Sequence, residues 1–264
     1  VDRSRDAFRT AFELNPTDRR AALHLLALAA GRGDSIRAAE LATAIPVDDP
    51  VWAFQVQAFL AGARGRRMSG PQLDSALTAV PPERAESAVL SPADFLEDPE
   101  LLRRGARRMG TRTAATAIRA HRLRIVAELA EGRLRAAVRA VSDLRNIDPM
   151  LAARWGTLAA SLPWFRPDVV PDDLLHTGPL VETDDRVLVF LEGMRAFRLR
   201  DTARLAEARQ RLDELELPDR SAELPVLLDV LRAEAAGHPS RALEILGSSR
   251  ATSDRLAAFS EGPA

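Results

Sequence analysis

No cysteine occurs in the 264 residues, which excludes disulfides, iron–sulfur clusters, thiolate zinc sites and cysteine nucleophiles. Lysine is absent as well, so all 37 basic residues are arginine. That removes a lysine Schiff base and the lysine of a phosphate-binding P-loop. There is no tyrosine, and no apolar run approaches the roughly 18 residues that a membrane-crossing helix needs. An excess of one charge is missing too: 37 basic residues face 38 acidic ones, for a net charge of −1. A generally basic nucleic-acid binder is thereby excluded, although local patches remain open. What is present is enough to fold, with 46% hydrophobic and 28% charged residues. The length suits one large core, two domains or an elongated array. The first residue is Val1 rather than Met, and we read the chain as a fragment from which a signal peptide or an upstream domain has been removed. Its compartment is left open, with the cytoplasm favoured.

Punctuation recurs at a fixed period. Asn15-Pro16 and Asp49-Pro50 lie 34 residues apart, Pro82 follows 32 later, and Pro149 and Pro218 follow at 67 and 69. A second ladder consists of Gly33-Asp34, Gly132-Arg133, Arg200-Asp201 and Gly237-His238, with gaps of 99, 68 and 37. Both fit multiples of a unit near 34 residues, the spacing of stacked helix–turn–helix repeats.

Between these marks the apolar residues keep helical spacing. Trp52, Val56, Phe59, Leu60 and Ala63 follow one helical face after Pro50. Trp52, Phe54 and Val56 also alternate, so a strand competes there. Ala137, Val141 and Leu144 form another helical stripe, and Leu188, Leu191, Arg195 and Leu199 a third. Alanine and arginine, both strong helix formers, dominate many faces. Ser91-Pro92-Ala93-Asp94, Asp98-Pro99 and Thr183-Asp184 read as helix starts. The expected fold is all-α, with about a dozen helices and almost no strand.

Asp6-Ala7-Phe8-Arg9-Thr10-Ala11-Phe12-Glu13-Leu14-Asn15-Pro16 resembles the second helix of a tetratricopeptide repeat. Phe8, Ala11 and Pro16 take that family's large, small and terminating positions, and Ser4 its earlier small one. The next unit has the Gly-Asp turn at Gly33-Asp34 and a small residue at Ala38, but Ala42 and Ile45 depart from the pattern. The unit before Pro149 keeps Gly132 and Ala137. The resemblance spans most of the chain by period and about two units by motif. It implies a right-handed superhelix of stacked antiparallel helix pairs. Some family members grip chaperone C-termini with a two-carboxylate clamp of Lys and Asn. This chain has no Lys, and its asparagines, Asn15 and Asn146, precede loop prolines, so that clamp is not expected. Ala/Arg-rich, lysine-free degenerate repeats also resemble the C-terminal arms of bacterial serine/threonine kinases and transcriptional regulators, which implies a sensor or scaffold arm.

The expected organisation is N-terminal repeats over 1–82, an irregular helical connector over 83–112, and C-terminal repeats over 113–264. A proline-rich loop over 162–183 holds one short helix at Asp172–His176, and the tail forms a last helix near Asp254–Phe259.

Catalytic and metal chemistry find little to work with. His24, His121, His176 and His238 have no ligand-type neighbour at helical spacing and no His-Glu-x-x-His element occurs, so no metal site is expected. No G-x-S-x-G exists, and Gly247-Ser248-Ser249 reads as a helix C-terminus. Gly31-Arg32-Gly33 lacks the strand and third glycine of a dinucleotide fingerprint, so no cofactor is expected. Asp172-Asp173 and Asp184-Asp185 read as helix-start acids rather than as a catalytic pair. The chain is not expected to be an enzyme.

One charge feature rises above this background. Eight arginines and no acid lie between Arg103 and Ala127. Arg103, Arg104, Arg107 and Arg108 share one side of a helix, with Arg112 beyond. The stripe reads either as a docking surface for an acidic protein or peptide or as one side of intramolecular pairs, with Asp94, Glu97, Asp98 and Glu100 nearby. A nucleic-acid partner is disfavoured because no aromatics are interleaved. Trp164-Phe165 reads either as an exposed anchor for a partner or as a plug over the end of a helix block.

The reading that follows is a non-catalytic interaction scaffold or sensor arm that binds a peptide or partner helix in a groove. The alternative is a small-molecule-sensing regulatory module with a groove lined by Trp52, Phe59 or Trp155.

Overall fold

The computed structural model describes residues 2–162, 166, 169–175, 180–215 and 223–248. Among the described residues there are fourteen α-helices and no strand. The chain divides into two compact units, Val1–Arg133 and Leu134–Ala264. The first holds α1 (Asp2–Leu14), α2 (Arg19–Gly31), α3 (Ser35–Thr43), α4 (Pro50–Ala63), α5 (Gly70–Thr78), α6 (Ala85–Phe95), α7 (Pro99–Met109) and α8 (Ala114–Ala130). The second holds α9 (Leu134–Arg145), α10 (Pro149–Ser161), α11 (Arg186–Leu199), α12 (Thr202–Glu214), α13 (Glu223–Ala235) and α14 (Pro239–Ser248). The expected connector at 83–112 is occupied by a 3₁₀ turn at Pro82–Arg84 followed by α6 and α7.

One turn recurs along the chain and explains the second ladder. Gly33, Gly65, Glu97, Gly132, Arg200 and Gly237 all have left-handed backbone, with φ of 70°, 64°, 49°, 70°, 57° and 78°. The N–H of the next residue then reaches back five positions to a carbonyl: Asp34 to Ala29, Arg66 to Ala61, Asp98 to Ala93, Arg133 to Glu128, Asp201 to Ala196 and His238 to Ala233, all at 2.8–3.0 Å. This is the Schellman closure, which satisfies a helix-end carbonyl and reverses the chain. The 99-residue gap between Gly33 and Gly132 therefore contains two further turns, at Gly65 and Glu97, spaced 32, 32 and 35 residues.

Helix starts are equally regular. Asp18, Asp34, Asp49, Asp98, Asp148, Asp185 and Asp201 each accept backbone N–H groups of the first helical turn. Such caps are worth roughly 1 kcal/mol each. Three of these aspartates are followed by a proline at the first helical position, Pro50, Pro99 and Pro149, where no N–H is needed. Three of the seven, Asp34, Asp98 and Asp201, close one turn with the backbone and open the next helix with the side chain.

Two of the expected helix starts are displaced. Ser91-Pro92 does not begin a helix, because Pro92 sits inside α6. Its missing N–H costs one bond, yet Pro92 is buried against neighbours and its carbonyl still receives the Leu96 N–H at 3.0 Å. The cap at Thr183-Asp184 shifts to Asp185, which accepts from Val187 and Leu188. The alternation of Trp52, Phe54 and Val56 yields helix, α4, with Phe54 and Val56 buried on two sides. Asp172–Leu174 forms a 3₁₀ turn rather than a longer helix, and His176, Pro218 and Asp254–Phe259 lie outside the described residues.

In the first unit α2 packs on α1, α3, α4 and α6, α4 on α6, and α7 on α5, α6 and α8. Leu26, Leu41, Val56 and Phe59 fill one core, and Phe54, Leu77, Val89, Met109 and Leu123 a second. Fully buried alanines such as Ala22, Ala88 and Ala106 let the helices approach closely. In the second unit α11 packs on α10, α12 and α13, with Leu188, Val189, Leu205, Leu212 and Leu228 fully buried.

Candidate partner-binding site

The arginines of α7 are used inside the fold. Arg103 is only 14% exposed and bonds Glu128 at 2.7 Å and Glu131 at 2.5 and 3.0 Å, both at the C-terminal end of α8. Arg104 pairs with Asp74 at 2.6 Å and Glu100 at 3.0 Å and donates to the carbonyl of Gly70 at 2.9 Å. Arg107 pairs with Glu100 at 2.8 Å. Arg108 donates to the carbonyls of Val80 and Thr78 at 2.9 and 3.0 Å. Four of the five arginines thus tie α7 to itself, to α5 and its C-terminal end, or to α8. Arg112, on the link to α8, is exposed and makes no ion pair among the described residues. Of the four acids expected as partners, Glu100 takes that role and Asp98 caps α7, while the remaining acids come from α5 and α8. The bond from Arg103 holds the Glu131 carboxyl below its ordinary range, and Arg133 and Arg67 add attraction. Trp164 and Phe165 lie outside the described residues.

A second basic group forms where the sequence reading placed none. The α4 helix closes on Gly65, whose left-handed backbone turns Arg64, Arg66 and Arg67 onto one short loop. The far end of the loop is fixed by Ser69, whose N–H and hydroxyl both donate to Gln72 at 3.0 Å. All three arginines are exposed and make no ion pair with an acid among the described residues. They line one side of an open groove of about 770 Å³ between α4 and α5. Its floor is apolar, from Leu60, Ala61, Met68, Pro71 and Ala76, and its other polar residues are Gln57, Gln72 and Ser75. No acid lines it. The signal was legible, since no Asp or Glu occurs between Asp49 and Asp74.

Two neighbouring hollows share this loop. A cavity of about 360 Å³ is bounded by Arg66, Arg67 and Met68 on one side and by Ala58, Leu96, Glu97 and Leu101 on the other. A shallower hollow of about 890 Å³ runs from Arg67 to Leu90, Leu102 and Val126, with Asp94, Glu97 and Glu131 on its margin. Leu90 and Val126 are exposed there.

Elsewhere several polar groups pack or pair within the fold. His24 stacks on Phe8 with ring centroids 3.8 Å apart and meets Phe95 edge-on at 5.6 Å. Burial pushes its pKa below the ordinary value. Glu192 on α11 is fully buried and accepts from Thr157 at 3.2 Å, with Arg195 at 3.4 Å and Arg204 at 3.7 Å. That buried charge is not legible in the residues alone, because Glu192 falls within the apolar Leu188–Leu199 pattern. Asp185 caps α11 and Asp184 pairs with Arg211 at 2.8 Å. Phe59 is fully buried and cannot line a groove, while Trp52 and Trp155 are half-buried.

Among the described residues no cluster of His, Asp and Glu could hold a metal ion, and no helix is long and apolar enough to cross a membrane. Comparisons with protein families, with curated proteins and with solved structures give no match.

Proposed function

We propose that this chain is a non-catalytic protein–protein interaction module, a tetratricopeptide-like array in which antiparallel helix pairs stack into a right-handed superhelix. The observation that carries the reading is the row α2, α4, α6, in which each helix packs on the next but one in sequence, with the same turn closing each member. Such rows leave grooves between successive pairs, and the grooves beside α4 and α6 are open. The partner is a protein segment, peptide or helix, of acidic character. In this reading the chain serves as the scaffold or sensor arm of a larger signalling protein.

The test is capture on the immobilised chain from extracts of the source organism. The module reading predicts a small set of proteins retained saturably and released by free chain. Retention of none would contradict it.

A second reading, a small-molecule sensor, is favoured by the 360 Å³ cavity beneath Arg66 and Arg67, which is within the usual size range of ligand sites. A metabolite panel that raises the melting temperature without any protein partner would support it.

A further inference from the structure

We infer that the groove between α4 and α5 docks an acidic peptide segment that carries an apolar anchor side chain. The inference rests on the interaction-module reading and names its site and the chemistry of its partner.

Charge is the first argument. The chain is electrically balanced, at −1 overall, and Arg103, Arg104 and Arg107 of α7 are compensated locally. Arg64 and Arg66 are not, and Arg67 has the longer-range attraction of Glu131 but no ion pair among the described residues. All three stand within four residues of one another, with no acid along the groove and no ion-pair partner among the described residues. A guanidinium presents a planar fork that matches a carboxylate bidentately, so a segment rich in Asp and Glu supplies what the groove lacks.

The floor is the second argument. Leu60, Met68 and Ala76 are half-buried against the two cores of the first unit, and they present an apolar strip beside the cations. A peptide lying on it removes apolar surface from water as its carboxylates meet the arginines. Methionine adapts its shape to varied anchors. No aromatic side chain lines the groove, so a single-stranded nucleic acid would find cations but nothing on which to stack its bases. That asymmetry favours peptide over nucleic acid.

Preorganisation is the third. The loop is closed at Gly65 by the Arg66 N–H to Ala61 carbonyl bond at 3.0 Å and at Ser69 by two bonds to Gln72. Little backbone entropy remains to be lost when a ligand arrives.

The experiment uses a displayed library of random peptides selected against the whole chain. The selected peptides are then measured by fluorescence anisotropy on wild type, on Arg64→Glu/Arg66→Glu/Arg67→Glu, on Ala76→Glu and on Arg112→Glu, each checked by circular dichroism. The expected result is enrichment of peptides with several acids around Leu, Met or Phe. Affinity should fall about tenfold or more in the triple variant and in Ala76→Glu, and stay unchanged in Arg112→Glu. It should also weaken as salt rises. Selection without acidic enrichment overturns the inference, as does equal binding by the triple variant or tighter binding of a single-stranded oligonucleotide at matched salt. If extract proteins are captured equally by wild type and triple variant, the site is wrong while the module reading stands. If neither retains any protein, the module reading itself falls.

Discussion

Glu97 and Gly65 occupy the same place in two turns of one design: each has left-handed backbone, φ 49° and 64°, and each is followed by a back-reaching N–H bond of 3.0 Å to an alanine carbonyl. A side chain in that conformation costs roughly 1–2 kcal/mol, which glycine escapes. Glycine gives back part of this through the greater freedom of the unfolded chain, roughly 0.4–1 kcal/mol. Glu97→Gly should therefore stabilise the first unit by about 0.5–1 kcal/mol. Gly65→Ala should destabilise it by about 1 kcal/mol, read as shifts in the urea midpoint.

Arg103 is a half-buried hub for Glu128 and Glu131, with side-chain exposures of 14%, 13% and 28%. Arg103→Met leaves Glu128 with Arg133 at only 4.0 Å, while Glu131 keeps Arg133 at 2.9 Å. We expect a loss of about 2–3 kcal/mol, below the range for fully buried pairs because part of the cluster meets water. The Glu131 carboxyl is held below 4.5 chiefly by the Arg103 bond. A depressed carboxylate stabilises the fold above its unfolded value, and that stability disappears as pH falls through the folded one. Denaturation between about pH 5 and 3 should therefore be less steep in pH for Arg103→Met than for wild type.

The His24 ring, enclosed by Phe8 and Phe95, has its pKa lowered from 6.5 by burial. The unfolded chain then binds the proton more readily than the folded one. Stability is therefore intact above pH 6.5 and declines as pH falls through that value toward the folded one. Melting temperatures measured from about pH 7.5 to 5 should drop further for wild type than for His24→Leu.

Gly156 and the carbonyl of Leu174 meet so closely that a Cβ at position 156 would overlap the oxygen. Alanine gains roughly 0.5–1 kcal/mol of helix propensity over glycine, against roughly 1–3 kcal/mol for overpacking against backbone that cannot step aside. Gly156→Ala should thus destabilise the second unit. Gly31→Ala is the contrast, because its nearest contact would be an ordinary 3.5 Å to the Phe95 carbonyl. It should be neutral or slightly stabilising in the same thermal assay.

The helical class, the Gly-Asp turns and the Asp-Pro caps could be read from residues alone because each is a local rule. Gly33, Gly132 and Gly237 announce a left-handed turn by lacking a Cβ, and Asp49-Pro50 announces a helix start. The turns at Gly65 and Glu97 escaped that reading. Gly65-Arg66 carries the same signal as Gly132-Arg133 and is legible in principle, whereas Glu97 carries a side chain that gives no hint of its backbone. Arg103, Arg104, Arg107 and Arg108 drew attention because an acid-free run looks uncompensated. Glu100, within the same helix, is among the expected partners and takes Arg104 and Arg107. Asp74, Glu128 and Glu131, the further partners of Arg103 and Arg104, lie 20 or more residues away and are brought up by packing alone. Arg64, Arg66 and Arg67 form a shorter run, yet no acid lines their groove, and Glu131 attracts Arg67 from the neighbouring hollow.

The central claim is that this repeat surface receives a peptide beside α4 and α5. Hydrogen–deuterium exchange with and without a saturating selected peptide tests it most directly. The account predicts slowed exchange confined to Leu60–Ala76 and the helix ends that flank the loop. Protection centred on α7, on the second unit, or nowhere would contradict it.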